Sequence, residues 1–194
     1  MSIFFLGGSF DPPHLGHLRI IQLCFKEFDI KQFILIPTNQ SPLKSNIPLA
    51  TAFHRIQMLK LLINNFNKDI IIDDWEIKKD TPSYSYDTIK HLKIIYPNSY
   101  LSMIIGGDQL ECFKEWRNYK KILDAVELIV FNRSENKHEL IKDIEFRLIS
   151  DFHVDISSTT IRENISNGKL LQNDLTPEIY HYIQKNKLYD ANIN

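Results

Sequence analysis

The chain predicts an α/β fold, a parallel sheet with helices on both faces, within a single domain spanning residues 1–194. Three observations predict it. Short apolar runs alternate with amphipathic stretches at helical spacing, the signature of βαβ units. A Gly/Pro-rich loop joins the first apolar run to the first helical stretch. The other candidate motifs also follow directly on strands, where such sheets bind ligands.

In order, Ile3–Leu6 reads as the first strand and Leu18–Phe28 as the first helix. Gln32–Pro37, rich in Ile and Phe and closed by Pro37, is the second strand. Asn39–Pro48 is a polar loop punctuated by proline. Thr51–Phe66 is a helix, because Phe53, Ile56, Leu59, Ile63 and Phe66 recur at helical spacing. Asp69–Trp75 is the third strand, and Lys78–Ser83 is a loop. Tyr86–Tyr96 is a helix stopped by Pro97. Tyr100–Ile105 is the fourth strand and ends at Gly106-Gly107-Asp108. Leu110–Leu123 reads as one or two helices, Glu127–Phe131 as the fifth strand and His138–Phe146 as a short helix. Arg147–Asp155, more polar than the others, is the sixth strand. Ser158–Asn167 is a helix with Gly168 as its stop, and Pro177–Lys187 is a last helix with Pro177 in its first turn. The order describes a Rossmann-like sheet, without internal repeat, low-complexity tract or linker.

Length and composition bound the function. The 194 residues, 43% hydrophobic and 24% charged, suit a soluble globular protein with a sizeable core. A formal net charge of −1 gives no global basic field, so neither nucleic acid nor an anionic membrane is an expected partner. Phosphate must therefore be held by a local site. Cys24 and Cys112 are far apart and outside any CxxC, which predicts free, buried thiols in a reducing compartment. The chain opens directly into a strand and has no apolar run of membrane-spanning length, so the expected location is cytoplasmic.

The most informative segment is Gly7-Gly8-Ser9-Phe10-Asp11-Pro12-Pro13-His14-Leu15-Gly16-His17. It delivers two histidines to a helix N-terminus, whose unpaired N–H groups and partial positive charge suit phosphate. Gly7, Gly8 and Gly16 allow close backbone approach. His14 and His17, three apart, face the same side of the first turn. The plain alternative is a strand–turn–helix joint with one structural and one surface histidine. Zinc is not expected, since H-x-x-H here lacks the Glu of H-E-x-x-H. A second segment, Ile156-Ser157-Ser158-Thr159-Thr160-Ile161-Arg162, places hydroxyls at a strand-to-helix joint. Thr160-x-x-Glu163 fits a capping box, and Arg162 falls within the first turn or so, able to clamp a phosphate. Gly106 permits close approach of a nucleotide, and Asp108 can accept from ribose hydroxyls.

These motifs resemble those of the HxGH nucleotidyltransferase superfamily, and the longer run resembles the bacterial nicotinate mononucleotide adenylyltransferases. Ile156–Arg162 is similar to that family's ISSTxIR, and Pro42-Leu43-Lys44 to its PPHK, with Leu43 where His is usual. Ser83-Tyr84-Ser85-Tyr86-Asp87-Thr88 is similar to SYTxDT, with Ser85 for Thr, and Phe113-Lys114-Glu115-Trp116 to F-P-x-W, with Lys114 for Pro. His54-Arg55 with Met58-Leu59 resembles HR..ML, and Tyr182-Ile183 with Leu188-Tyr189 resembles the closing YI…LY, so the likeness covers nearly the whole chain.

The resemblance implies transfer of AMP from ATP to nicotinate mononucleotide in NAD biosynthesis, with release of pyrophosphate. It implies His14, His17, Lys44 and Arg162 as catalytic residues, with His17 on the α-phosphate. It implies Gly7, Gly8, Ser9, Phe10, Gly106, Asp108, Ile156, Ser157, Ser158 and Thr159 as the ATP site, and Ser83, Tyr84, Ser85 and Trp116 as the acceptor site. Mg²⁺ is expected on the ATP phosphates, with no metal ligand from the chain. The acceptor phosphate has its second pKa near ~6 and is largely a dianion at neutral pH, so it needs no general base. Catalysis is then positioning plus electrostatics. Two alternatives stay open: dual use of nicotinate and nicotinamide mononucleotides, and a nucleotide-binding module without turnover.

Overall fold

The computed structural model describes residues 1–40, 47–79, 82–131, 143–149, 152, 154–169 and 173–190. Strands β1 (Ser2–Gly8), β2 (Gln32–Pro37), β3 (Ile70–Ile72), β4 (Tyr100–Gly106), β5 (Glu127–Phe131) and β6 (Arg147–Ile149) form one sheet in the order β3-β2-β1-β4-β5-β6. Every neighbouring pair is parallel. This is the Rossmann-like sheet that the sequence predicts. The order reverses between β1 and β4, so a crevice opens beyond the strand ends at Gly8 and Gly106.

The inner strands β1, β2, β4 and β5 are buried on both faces, and period-2 alternation assigns their residues to two cores. Phe4, Leu6, Phe33, Leu35, Ile104 and Phe131 join one core. Helices α1 (Leu15–Glu27), α2 (Ala52–Ile63), α6 (Ser158–Ser166) and α7 (Pro177–Lys185) cover it through residues such as Ile21, Leu59, Ile161 and Ile183. Ile3, Phe5, Ile34, Ile36, Met103, Ile105 and Val130 join the other. There α3 (Ser85–Ile95), α4 (Gly107–Glu111), a 3₁₀ turn (Phe113–Glu115) and α5 (Tyr119–Leu123) supply Ile89, Leu92, Leu110, Phe113 and Ile122.

Several expected boundaries move, each for a local reason. The first helix begins at Leu15 rather than Leu18, because His14 is its N-cap. The third strand keeps only Ile70–Ile72, because Asp73 Oδ1 accepts from Trp75 N–H at 3.0 Å and bends the chain into a turn. The helix after Thr51 stops at Ile63, not Phe66. The sixth strand is three residues, not the whole of Arg147–Asp155. Of the helix expected over His138–Phe146, positions 138–142 lie outside the described residues and Asp143–Phe146 are not helical. The expected capping box at Thr160 is replaced by Ser157 as N-cap, its Oγ accepting from Thr160 N–H at 3.1 Å. Cys24 is buried, and burial pushes its thiol up to about 12; Cys112 is only half-buried, against the expectation for both.

Candidate active site

The phosphate end is built on the loop from Ser9 to His14. His14 caps α1: its Nδ1 accepts from Gly16 N–H at 3.1 Å, while its own backbone N–H donates to His17 Nδ1 at 3.2 Å. The two rings are in contact but tilted, with centroids 3.9 Å apart and planes at 43°. Because each Nδ1 accepts, each neutral ring carries its proton on Nε2, so both imidazoles are Nε2–H donors. Gly16 has a packing reason beyond ligand approach: a Cβ there would lie 2.9 Å from Cε1 and Nδ1 of His14. Phe10 is fully buried in left-handed backbone (φ 48°), and its ring meets His17 edge-on at 4.9 Å. Such a conformation costs a non-glycine residue about 1 kcal/mol, which the buried ring offsets.

Residues remote in sequence lace this loop. Arg55 is buried and donates through Nη1 to Ser9 O at 2.6 Å and Thr38 O at 2.8 Å. Arg162 donates through Nη1 to Asp11 O at 2.7 Å and through Nη2 to Thr159 Oγ1 at 3.3 Å. Ser158 Oγ donates to Pro12 O at 2.9 Å. The buried Asp11 carboxylate accepts from Leu49 N–H (2.8 Å), Ala50 N–H (3.0 Å) and Tyr189 Oη–H (2.7 Å). Burial, with the Asp11 carboxylate next to it, holds the Tyr189 hydroxyl far above the usual tyrosine range.

The expected ATP residues Gly7, Gly8, Ser9, Phe10, Ser157, Ser158 and Thr159 therefore converge with His14, His17 and Arg162 at the ends of β1 and α6. The hydroxyls of Ser157 and Ser158 already serve the fold, and with Thr160 N–H bonded to Ser157 Oγ the N–H groups of Ser158 and Thr159 are left for an anion. Ile156 lines an open groove with Leu15, Leu18 and Val154 beside the start of α1. Across the switch point, Asp108 folds its carboxylate over Gly106, where a Cβ would meet Oδ1 at 2.5 Å. Lys44 and Leu43 lie outside the described residues. Among those described, no group of three or more His, Cys, Asp or Glu is placed to hold a metal ion, and no helix is long and apolar enough to cross a membrane.

The residues expected at the acceptor end lie on the opposite face of the sheet. Tyr84 is the N-cap of α3 and gives no side-chain cap, so the helix leaves its first N–H groups uncovered. Asp87, in that first turn, faces Lys90 at 2.8 Å and Arg117 at 3.7 Å. The Lys90 hydrogen bond leads in holding its carboxyl below the usual range, and the two cations offset its repulsion of an anion. Arg117 also lies over the Tyr84 ring at 4.7 Å. Its neighbour Trp116 packs on Phe113 with centroids 5.0 Å apart. The 3₁₀ turn forms without the usual proline, and Lys114 points outward to Asp143 at 3.0 Å.

Sequence reasoning missed Asp11, Glu76 and Tyr189 and gave Arg55 no specific role. The available signal was an isolated Asp in a Gly/Pro loop, an acid beside Trp75, and an Arg on the apolar face of a helix.

Residues 5–164 match the family described as cytidylyltransferase-like. The chain is 32% identical over 190 residues to the nicotinate-nucleotide adenylyltransferase of Bacillus subtilis, covering 98% of this chain and 99% of that protein. It is 37% identical over 189 residues to a protein of Leptospira interrogans named a probable nicotinate-nucleotide adenylyltransferase, covering 94% of each. The fold is shared with the Plasmodium falciparum nicotinic acid mononucleotide adenylyltransferase complexed with NaAD, at TM-score 0.84 and 23% identity over 100% of this chain and 99% of that one.

Proposed function

The chain belongs to the cytidylyltransferase-like family, among its nicotinate-nucleotide adenylyltransferases, and on that premise we propose how its own residues carry the reaction. The substrates are ATP and nicotinate mononucleotide. An oxygen of the acceptor phosphate forms a bond to the α-phosphorus of ATP, the bond from that phosphorus to the bridging oxygen breaks, and pyrophosphate leaves with the electron pair. The products are nicotinate adenine dinucleotide and pyrophosphate. No proton need be removed from the attacking dianion.

The observation that carries the assignment is the mutual capping of His14 and His17, which commits both Nδ1 atoms and makes both Nε2 atoms donors. His17 Nε2–H stabilises charge on the α-phosphate, and His14, Lys44 and Arg162 hold the phosphate chain. The first-turn N–H groups of α6 add donors to the same chain. Gly106 and Asp108 take the nucleoside part, with Asp108 accepting from ribose hydroxyls. At the other end, Ser83, Tyr84 and Ser85 bring the uncapped start of α3 to the acceptor carboxylate, and Trp116 stacks on the pyridinium ring. The absence of a carboxylate cage among the described residues suits Mg²⁺ that arrives on the ATP phosphates and is held by them and by water. Bound there, it would neutralise charge on the phosphate chain.

The test is pyrophosphate release with Mg²⁺-ATP and, in parallel, nicotinate mononucleotide, nicotinamide mononucleotide and phosphopantetheine. Strong preference for the nicotinate form is expected. Equal use of both pyridine nucleotides would remove the role given to the start of α3. No release with any of the three would leave a nucleotide-binding module without turnover.

A further inference from the structure

Glu76 is a buried acid that the reaction above does not use, only 4% exposed, in the turn between β3 and α3. Its Oε1 accepts a hydrogen bond from the Thr88 hydroxyl. Thr88 lies at the start of α3, so this one carboxyl anchors the beginning of that helix. Ser83, just ahead of the helix, ties it to the loop after β2: its N–H donates to Gln40 O at 2.9 Å and its Oγ accepts from Asn39 N–H at 3.2 Å. Asn39 Nδ2 in turn donates to Lys79 O at 2.8 Å, closing the circuit three residues past Glu76. The second oxygen of Glu76, Oε2, is buried without a hydrogen-bond partner among the described residues, as is Nε1 of Trp116. A fold that leaves a buried carboxyl half-satisfied to hold one turn calls for an explanation beyond stability.

We propose that Glu76 is the positioning residue of the acceptor site, holding Thr88 so that the uncapped N–H groups of α3 meet the carboxylate of nicotinate mononucleotide. This rests on the acceptor site proposed above. Glu76 acts through Thr88 and does not touch the reacting phosphates. Burial raises its pKa, with Thr88, Ser83 and Lys79 opposing and Asp73 adding to the rise. Asp73, the acid that adds to this rise, is paired with His91 at 2.9 Å.

The experiment measures KM for each substrate separately in Glu76→Ala, Glu76→Gln and Thr88→Val. Glu76→Ala and Thr88→Val should each raise KM for nicotinate mononucleotide by about tenfold or more, the scale of a lost hydrogen bond to a charged or desolvated group. KM for ATP should stay within about twofold, because the phosphate residues His14, His17 and Arg162 lie on the other face of the sheet. Glu76→Gln, with the same shape and an amide oxygen for Thr88, should recover most of the loss. A fall in thermal stability with both KM values unchanged, or both raised equally, would overturn the proposal and leave Glu76 a structural residue. A wild-type chain that turns over only nicotinamide mononucleotide would instead overturn the acceptor reading beneath it. Thr88→Val keeps the test informative if Glu76→Ala does not fold.

Discussion

The two faces of the sheet meet at one crevice but are built by opposite strategies. On the face of α1 and α6, the loop from Ser9 to His14 is bonded in place by Arg55, Arg162, Ser158, Tyr189 and the N–H groups of Leu49 and Ala50. On the face of α3, the helix start has no cap, and the buried atoms Glu76 Oε2 and Trp116 Nε1 lack partners among the described residues. The first face resembles a finished cradle for an anion chain, where geometry must precede the ligand because preorganised donors do the catalysis. The second leaves donors open for a ligand to complete, which is what selectivity between a carboxylate and an amide requires. Among the described residues, Arg55 Nε is the one unpartnered buried side-chain atom on the first face, on a side chain whose Nη1 already makes two bonds.

The comparison predicts that damage to the first face appears in turnover and damage to the second in acceptor affinity. The largest effect is expected for His17→Ala, with turnover lower by ~100-fold or more, as for a lost transition-state donor. Pyrophosphate release at saturating substrates reads it, and near wild-type turnover would remove His17 from the α-phosphate. Gly16→Ala should follow. Its Cβ would sit 2.9 Å from two His14 ring atoms and 3.3 Å from Val154 Cγ1. Displacing that ring should lower turnover by about tenfold or more while far-ultraviolet circular dichroism stays native.

Arg162→Lys keeps the charge but loses the fork that reaches both Asp11 O and Thr159 Oγ1. KM for ATP should rise by about tenfold and that for nicotinate mononucleotide should not move. A rise shared by both substrates would break the division between faces. Tyr189→Phe removes one donor from the buried Asp11 carboxylate. Chemical denaturation should show a loss of about 1–2 kcal/mol. An unchanged midpoint would mean that water replaces the hydroxyl.

The smallest effect is a slope. Glu76 has a folded-state pKa raised above the usual 4.5, with burial as the leading cause. The folded chain therefore binds its proton more tightly than the unfolded chain. This contribution to stability is fully present below the unfolded pKa and is lost as pH rises through the folded one. Wild-type stability relative to Glu76→Gln should decline with pH above about 4.5, by at most ~1.4 kcal/mol per pH unit. Parallel curves would show that burial does not hold the proton.

Much of this protein was readable without coordinates, for a physical reason. Periodicity and turn chemistry act over a few residues, so the strand at Gln32–Pro37, the one at Glu127–Phe131 and the helix starting at Pro177 stand where local pattern puts them. The contiguous run from Gly7 to His17, the phosphate loop proposed above, was readable for the same reason: its histidines act on each other within one turn. What lies between elements was not readable. Asp11 meets Tyr189 across 178 positions and Arg162 reaches Asp11 across 151, and no sequence window spans such pairs. Boundaries moved where a side chain overruled the pattern, as His14 did by capping α1 and Asp73 by turning the chain out of β3. The sequence by itself determined the alternation of elements and the chemistry at each strand end. Only the tertiary structure decided which of those ends are bonded shut and which stay open to a ligand, because burial and hydrogen-bond satisfaction depend on segments that meet only after folding.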